Sequence, residues 1–163
     1  MRMWKCMIYL AVTGILGFII GRMLPHRWFQ EDRFPYRPFS FEREGKLYEK
    51  IGIHTWQNKI PDMSRIFPKW MPTKCLDGNI PEKLPVMIKE TCVAECIHVL
   101  LGIAALYCPY LWQTTGGIIL TILYEIGNMA FILVQRYNRP RFTKLRNRYK
   151  RKTGGSLCNI CEH

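Results

Sequence analysis

Cys92-Val-Ala-Glu-Cys-Ile-His-Val-Leu-Leu-Gly-Ile-Ala-Ala-Leu-Tyr-Cys-Pro-Tyr-Leu-Trp112 contains no Lys or Arg and one carboxylate. Thr115-Gly-Gly-Ile-Ile-Leu-Thr-Ile-Leu-Tyr-Glu-Ile-Gly-Asn-Met-Ala-Phe-Ile-Leu-Val134 follows after two residues. Each run is close to the ~20 residues that cross a bilayer's hydrocarbon core. Between them stands Pro109-Tyr-Leu-Trp-Gln-Thr-Thr-Gly-Gly117. A proline, tandem glycines and two interfacial aromatics suit a tight turn at a membrane surface. The two runs therefore read as a helical hairpin, one over 92–112 and one over 115–137.

A third apolar block, over 6–24, opens the chain, with Lys5 before its uncharged centre and Arg22 after it. Lysine and arginine snorkel from such positions. A basic start and an apolar middle also suit a signal peptide, but no Ala-x-Ala site precedes His26 and Arg27, so the block reads as an anchor. The chain has 163 residues and a formal charge of +12, from 24 Lys+Arg against 12 Asp+Glu. Nearly all the basic residues lie outside the three blocks. That distribution excludes a disordered basic tail and argues against a nucleic-acid partner, since basic DNA-binding domains do not usually carry membrane-length apolar runs. The fold class expected is an all-α integral membrane protein in one domain, 1–163. About three transmembrane helices would be joined by a long interfacial loop, 25–90, and followed by a basic tail, 138–163.

Lys and Arg set orientation. The 109–117 turn has none, whereas the 25–89 loop and the tail after Arg136 hold almost all of them. Loop and tail then face the cytoplasm and the turn faces out. Arg2 and Lys5 pull the other way, a conflict that a re-entrant or interfacial first helix would remove. The loop is rich in proline and aromatics, from Phe34-Pro-Tyr-Arg-Pro-Phe-Ser-Phe41 to Trp56, Phe67, Pro68, Trp70 and Pro72. Rings beside Lys and Arg point to a segment at headgroup level. One short helix is expected over 42–53.

Of the seven cysteines, Cys158-Asn-Ile-Cys161-Glu-His163 offers only three ligands, where a structural zinc site normally needs four. No metal and no cofactor is expected. The odd count and the inferred cytoplasmic loops also argue against a disulfide framework.

Ionisable groups at membrane depth are costly, and each is a functional candidate by default. Glu95 and His98 are three apart on one helix face. Glu90 lies eight residues before His98, so the imidazole sits angularly between two carboxylates. A partner on one ring nitrogen fixes the tautomer and leaves the other basic, as general-base work requires. Asn128 can donate to an oxyanion or hold a hydroxyl. Hydrogen bonds that only hold helices together fit the same residue types. After the third run comes Gln135-Arg-Tyr-Asn-Arg-Pro-Arg141, with arginine forks suited to phosphate and Pro140 expected to end the helix. Lys144 to Lys152 reads as an interfacial basic segment drawn to anionic lipid.

Three stretches carry a family resemblance. They are Phe39-Ser-Phe-Glu-Arg-Glu-Gly-Lys-Leu-Tyr-Glu-Lys50 with Trp56-Gln-Asn-Lys-Ile-Pro-Asp62, then Ile88 to His98, then Asn128 through the arginine string. In these the chain resembles the glycosyl-diaponeurosporenoate acyltransferases. Ala130 and Glu125 depart from the family pattern. The resemblance implies a membrane acyltransferase that esterifies a sugar hydroxyl of a glycolipid, a glycosylated carotenoid in that family. The donor would be a fatty acyl thioester, acyl-CoA or acyl carrier protein. The bilayer is the other partner, with no nucleic acid, and the site would lie at the cytoplasmic face of the cell membrane. His98 would be the base, oriented by Glu95 or Glu90, with Asn128 holding the acceptor or the oxyanion. Gln135, Arg136, Asn138, Arg139, Arg141 and Trp56 would bind substrate. The rival reading is a non-catalytic membrane scaffold or a lipid-binding accessory.

Overall fold

A computed structural model describes residues 2–59 and 80–158. The Phe67–Pro72 aromatics, Cys75, Cys161 and His163 lie outside the described residues. The described elements are helical: α1 (Arg2–Met23), α2 (Lys46–Lys50), α3 (Ile53–Trp56), α4 (Ile80–Ala105), α5 (Cys108–Leu111) and α6 (Thr115–Cys158). Short 3-10 turns occupy His26–Trp28, Ser40–Gly45 and Gln57–Lys59. Three helical stretches are long and apolar enough to cross a membrane: Arg2–Met23, Glu82–Leu111 and Thr115–Lys152. The protein is an all-α integral membrane protein.

The chain divides into two compact units, Met1–Gln30 with Cys92–Gln135, and Glu31–Thr91 with Arg136–His163.

In the first unit α1 runs its whole length beside α4. Cys6 Sγ donates to the Cys108 carbonyl at 3.5 Å, and the Tyr9 hydroxyl donates to the Ala104 carbonyl at 2.9 Å. Farther along, a Cβ on Gly17 would lie 3.1 Å from Leu101 Cδ2, and one on Gly21 would lie 3.2 Å from Ile97 Cγ1. Rising numbers on α1 meet falling numbers on α4, so the two are antiparallel. At 22 residues α1 is about 33 Å long, enough for the ~30 Å core. Its outward side chains, Ile8, Val12, Ile15 and Ile19 among them, are exposed aliphatics suited to lipid.

The hairpin of α4 and α6 closes over α5 in a layered register. His98 meets Asn128, Gly102 meets Glu125, and the Thr121 hydroxyl reaches the Ala105 carbonyl. The absence of a side chain at Gly117 keeps the turn clear of the Trp112 carbonyl oxygen.

Several boundaries differ from expectation. The second helix begins at Ile80, with Pro85 inside it, rather than near residue 92, and it ends at Ala105, with the short helix Cys108–Leu111 following, rather than running to 112. The third runs on to Cys158, so Pro140 does not end it. Proline removes one backbone donor and crowds the carbonyl four residues back. Gly45 lies against the Pro140 ring and the Tyr137 carbonyl, both 3.7 Å from where its Cβ would be. Gly45 has φ +98, a conformation that disfavours a side chain. The single helix expected over 42–53 is instead a 3-10 turn and two short helices, because Gly45 and Gly52 both take positive φ.

Candidate active site

His98 is half-buried on α4. Its Nδ1 lies 3.0 Å from Asn128 Oδ1 on α6. Its ring stacks on Phe131 with centroids 4.5 Å apart and planes 4° from parallel. Asn128 and Phe131 are three apart on one helix, so a single turn of α6 holds the imidazole by edge and by face. With the carboxamide oxygen facing Nδ1, that nitrogen carries the proton and Nε2 keeps the lone pair. Asn128 is 6% exposed. Its Nδ2 is buried and makes no hydrogen bond of normal geometry among the described residues, though the Tyr124 hydroxyl one turn back interacts with the same amide. A buried amide donor is costly to leave unmet, and it is chemically suited to a developing oxyanion.

Glu95 is buried one turn before His98. Glu90 belongs to the second unit. The hydrogen-bond partner on the ring is an amide from the neighbouring helix, where the sequence pointed to a carboxylate on the same helix. Phe131 was the residue sequence reasoning missed. Its spacing from Asn128 was the signal available.

In the second unit the arginine string turns inward. Arg139 is 2% exposed. Its Nε donates to Thr91 Oγ1 at 2.9 Å, and its terminal nitrogens donate to the Tyr36 carbonyl at 2.7 Å and the Thr91 carbonyl at 3.1 Å. Arg136 pairs with Glu42 through Nε at 2.6 Å and donates to the carbonyls of Pro35 at 3.2 Å and Arg37 at 3.3 Å. The two guanidinium groups lie over Tyr36 and Phe39, at 5.5 Å and 4.6 Å from the ring centroids. The other oxygen of Glu42 accepts from the Phe39 backbone N–H at 3.2 Å.

The local sequence explains this arrangement. Residues 34–39, with prolines at 35 and 38, form neither helix nor strand, so their carbonyls need donors from elsewhere. Two forks three residues apart on α6 supply them. The sequence reading of Arg136 and Arg139 as phosphate forks therefore meets a different geometry, in which both are occupied by this chain's own carbonyls. Arg141 is exposed, stacks on Tyr137 at 4.8 Å and donates to its hydroxyl at 2.7 Å. Gln135 is buried and Asn138 is half-buried. Trp56 Nε1 donates to the Ile51 carbonyl at 3.3 Å, closing its own turn.

Tyr48, buried beside this cluster, has its phenol pushed up to about 12, first by burial and then by its hydrogen bond to Glu42 and that group's charge. Glu31 is held below the usual carboxylate value. Burial opposes this, but a backbone hydrogen bond and Arg146, 2.6 Å away, outweigh it. Among the described residues no three His, Cys, Asp or Glu side chains gather as a metal site.

The family model for glycosyl-4,4'-diaponeurosporenoate acyltransferase matches residues 25–148, a span that holds His98, Asn128 and the arginine string. The chain belongs to that family. Curated acyltransferases of that name from Staphylococcus aureus strains Newman and N315 are each 30% identical over 152 residues, covering 90% of this chain and 89% of theirs. No solved structure matches. As a member of the glycosyl-4,4'-diaponeurosporenoate acyltransferase family the protein is an enzyme, an acyltransferase held in a membrane.

Proposed function

We propose that the protein transfers a fatty acyl chain from a thioester to a sugar hydroxyl of a membrane glycolipid, with His98 as general base. The observation that carries this reading is the His98–Asn128 bond at 3.0 Å, backed by the Phe131 stack. The hydroxyl oxygen attacks the thioester carbonyl while Nε2 takes its proton. An oxyanion forms on the former carbonyl oxygen, and the Asn128 Nδ2 donor stabilises it. The C–S bond then breaks, and the thiolate takes the proton from Nε2. A new ester and a free thiol leave, with atoms and charge balanced.

The family name supports a glycosylated carotenoid acceptor, glycosyl-4,4'-diaponeurosporenoate. A lipid-dissolved polyene with a sugar at one end suits a base set within membrane helices. The Lys and Arg distribution supports a cell-membrane enzyme whose 25–89 loop and tail face the cytoplasm, where acyl thioesters are made. The test is acyl transfer by the purified protein in nanodiscs, with a palmitoyl thioester and a glycosylated C30 carotenoid acid. Ester formation is expected, and its absence in His98→Ala protein of normal helicity. Undiminished ester formation by His98→Ala would overturn the assignment.

A further inference from the structure

The second half of α6 carries nine Lys and Arg from Arg136 to Lys152 and no Asp or Glu. Arg136 and Arg139 are buried on this chain's own carbonyls and Glu42, and Arg146 pairs with Glu31. Phe142, Leu145 and Tyr149 are half-buried on the same side of the helix as Arg146. Arg141, Lys144, Arg148, Lys150, Arg151 and Lys152 are exposed. At 3.6 residues per turn all of these but Lys150 fall within about a 100° arc and extend about 16 Å along the axis, with Lys150 about 100° outside it. Those within the arc form a ladder of cations on one face of the helix.

The spacing narrows the partner. A small phosphate group wants donors that converge, as a fork or a nest. A ladder spreads its charge along one direction. An amphipathic helix that inserts into lipid needs apolar anchors beside its cations. Here the apolar side chains of this segment sit on the half-buried side, and the exposed side offers Arg, Lys and Asn147. A linear cationic face without apolar anchors complements an acidic helix of similar length.

We propose that the exposed ladder of α6 docks an acidic acyl carrier protein, which presents the acyl donor as a protein-bound thioester. This rests on the acyl-transfer reading above and names its donor. The carrier's own acidic surface would meet Arg141, Lys144, Arg148, Arg151 and Lys152 in turn. Such rim charges act through association and register more than through buried contact, so binding should weaken steeply with salt.

The experiment uses the full chain in neutral-lipid nanodiscs. One arm measures binding of fluorescent palmitoyl carrier protein by anisotropy. The other compares kcat/KM for palmitoyl carrier protein and for palmitoyl-CoA. The variant Arg148→Glu/Lys152→Glu reverses two rungs one turn apart. Arg148→Gln/Lys152→Gln neutralises them with less risk to folding. Carrier binding should weaken about 10-fold or more in the reversed variant and less in the neutral one, and it should be partly restored by an acid-to-lysine change on the carrier. The carrier-over-CoA ratio of kcat/KM should fall by a similar factor. Equal losses for both donors would overturn the proposal in favour of a phosphate site. Effects seen only in nanodiscs containing phosphatidylglycerol would assign the ladder to the lipid surface. Carrier binding that is lost in the variants while no acyl transfer occurs in any form would keep the docking face and refute the acyl-transfer reading.

Discussion

The Asn128 carboxamide oxygen stands 3.0 Å from His98 Nδ1 and joins two membrane helices through one hydrogen bond. The same bond selects which imidazole nitrogen stays basic. His98→Gln keeps a polar partner for Asn128 but has no group that accepts a proton near neutral pH. It should therefore be inactive while inserting and folding normally. Asn128→Leu leaves the ring stacked on Phe131 but frees its tautomer and removes the buried donor. Turnover should fall by about 10²-fold, within the usual range for acid–base assistance. Steady-state acyl transfer alongside circular dichroism separates these outcomes. Full activity in His98→Gln would reduce the pair to helix packing.

Arg139 bonds to Thr91 and to the Tyr36 carbonyl through all three nitrogens. Lysine keeps the charge but cannot hold that planar fork. Arg139→Lys should destabilise the second unit by about 2 kcal/mol, the scale of a lost charge-assisted hydrogen bond. Protein that remains folded should show an unchanged KM for the acyl thioester. A raised donor KM without loss of thermal stability would return Arg139 to phosphate recognition.

Much of the fold was legible because membrane length and charge leave few alternatives. The runs after Cys92 and Thr115 could bury their backbones only as helices, and the chargeless 109–117 turn marked the hairpin. The polar positions His98, Asn128, Arg136 and Arg139 were also visible, since buried polar groups stand out against aliphatic sequence. Their partners were not. Which nitrogen Asn128 meets depends on the register between α4 and α6, and Phe131 looks like any lipid-facing aromatic. The inward turn of Arg136 and Arg139 depends on Pro35 and its neighbours lacking internal partners. That need appears only once residues 34–39 are seen to form neither helix nor strand. Pro140 misled for a related reason, since local propensity places a helix end where the helix in fact continues, with Gly45 packed against the proline ring.

Tyr48 gives the second unit an alkaline signature. Its phenol is raised from 10.0 to about 12 by burial, with Glu42 adding to the effect. A group whose folded pKa is raised contributes its full stabilisation below the unfolded value and loses it as pH climbs through the folded one. The stability difference between wild type and Tyr48→Phe should thus be constant up to about pH 10 and shrink between about pH 10 and 12. Denaturation midpoints across that range measure it. A constant difference to pH 12 would mean that neither burial nor Glu42 raises the phenol in the folded protein.

Orientation can be read with single cysteines in a background lacking the native ones. Cys6 lies against the Cys108 carbonyl, so the start of α1 shares a side with the hairpin turn. Gln113→Cys should react with an impermeant maleimide in intact cells, and Lys150→Cys only after permeabilisation. Arg2→Cys should label with the turn, despite Arg2 and Lys5 sitting on the less basic side. The twelve Lys and Arg in the 25–89 loop outweigh them. Labelling of Lys150→Cys from outside would invert the topology and move the α6 ladder away from cytosolic donors.

Gly102 and Glu125 occupy the layer next to the His98–Asn128 pair. A Cβ on Gly102 would lie 2.8 Å from Glu125 Oε2, closer than real side chains come. Glu125 Oε1 is buried and accepts no hydrogen bond among the described residues. The carboxylate thus fills a notch that glycine leaves open between α4 and α6. Gly102→Ala should displace the Glu125 carboxylate, the far end of a flexible side chain, cheaply, and should reach the about 1–3 kcal/mol typical of overpacking only to the extent that the helices shift as well. Because His98 is one turn away on the same face of α4, the same shift should stretch its bond to Asn128 and lower kcat. Glu125→Ala removes the obstructing group, so the double variant Gly102→Ala/Glu125→Ala should regain stability and turnover lost by Gly102→Ala alone. That non-additivity is the decisive quantity, since contacting residues couple and distant ones do not. Thermal midpoints and kcat for the four forms measure it. Strictly additive effects would show that the notch does not set the helix spacing on which His98 depends.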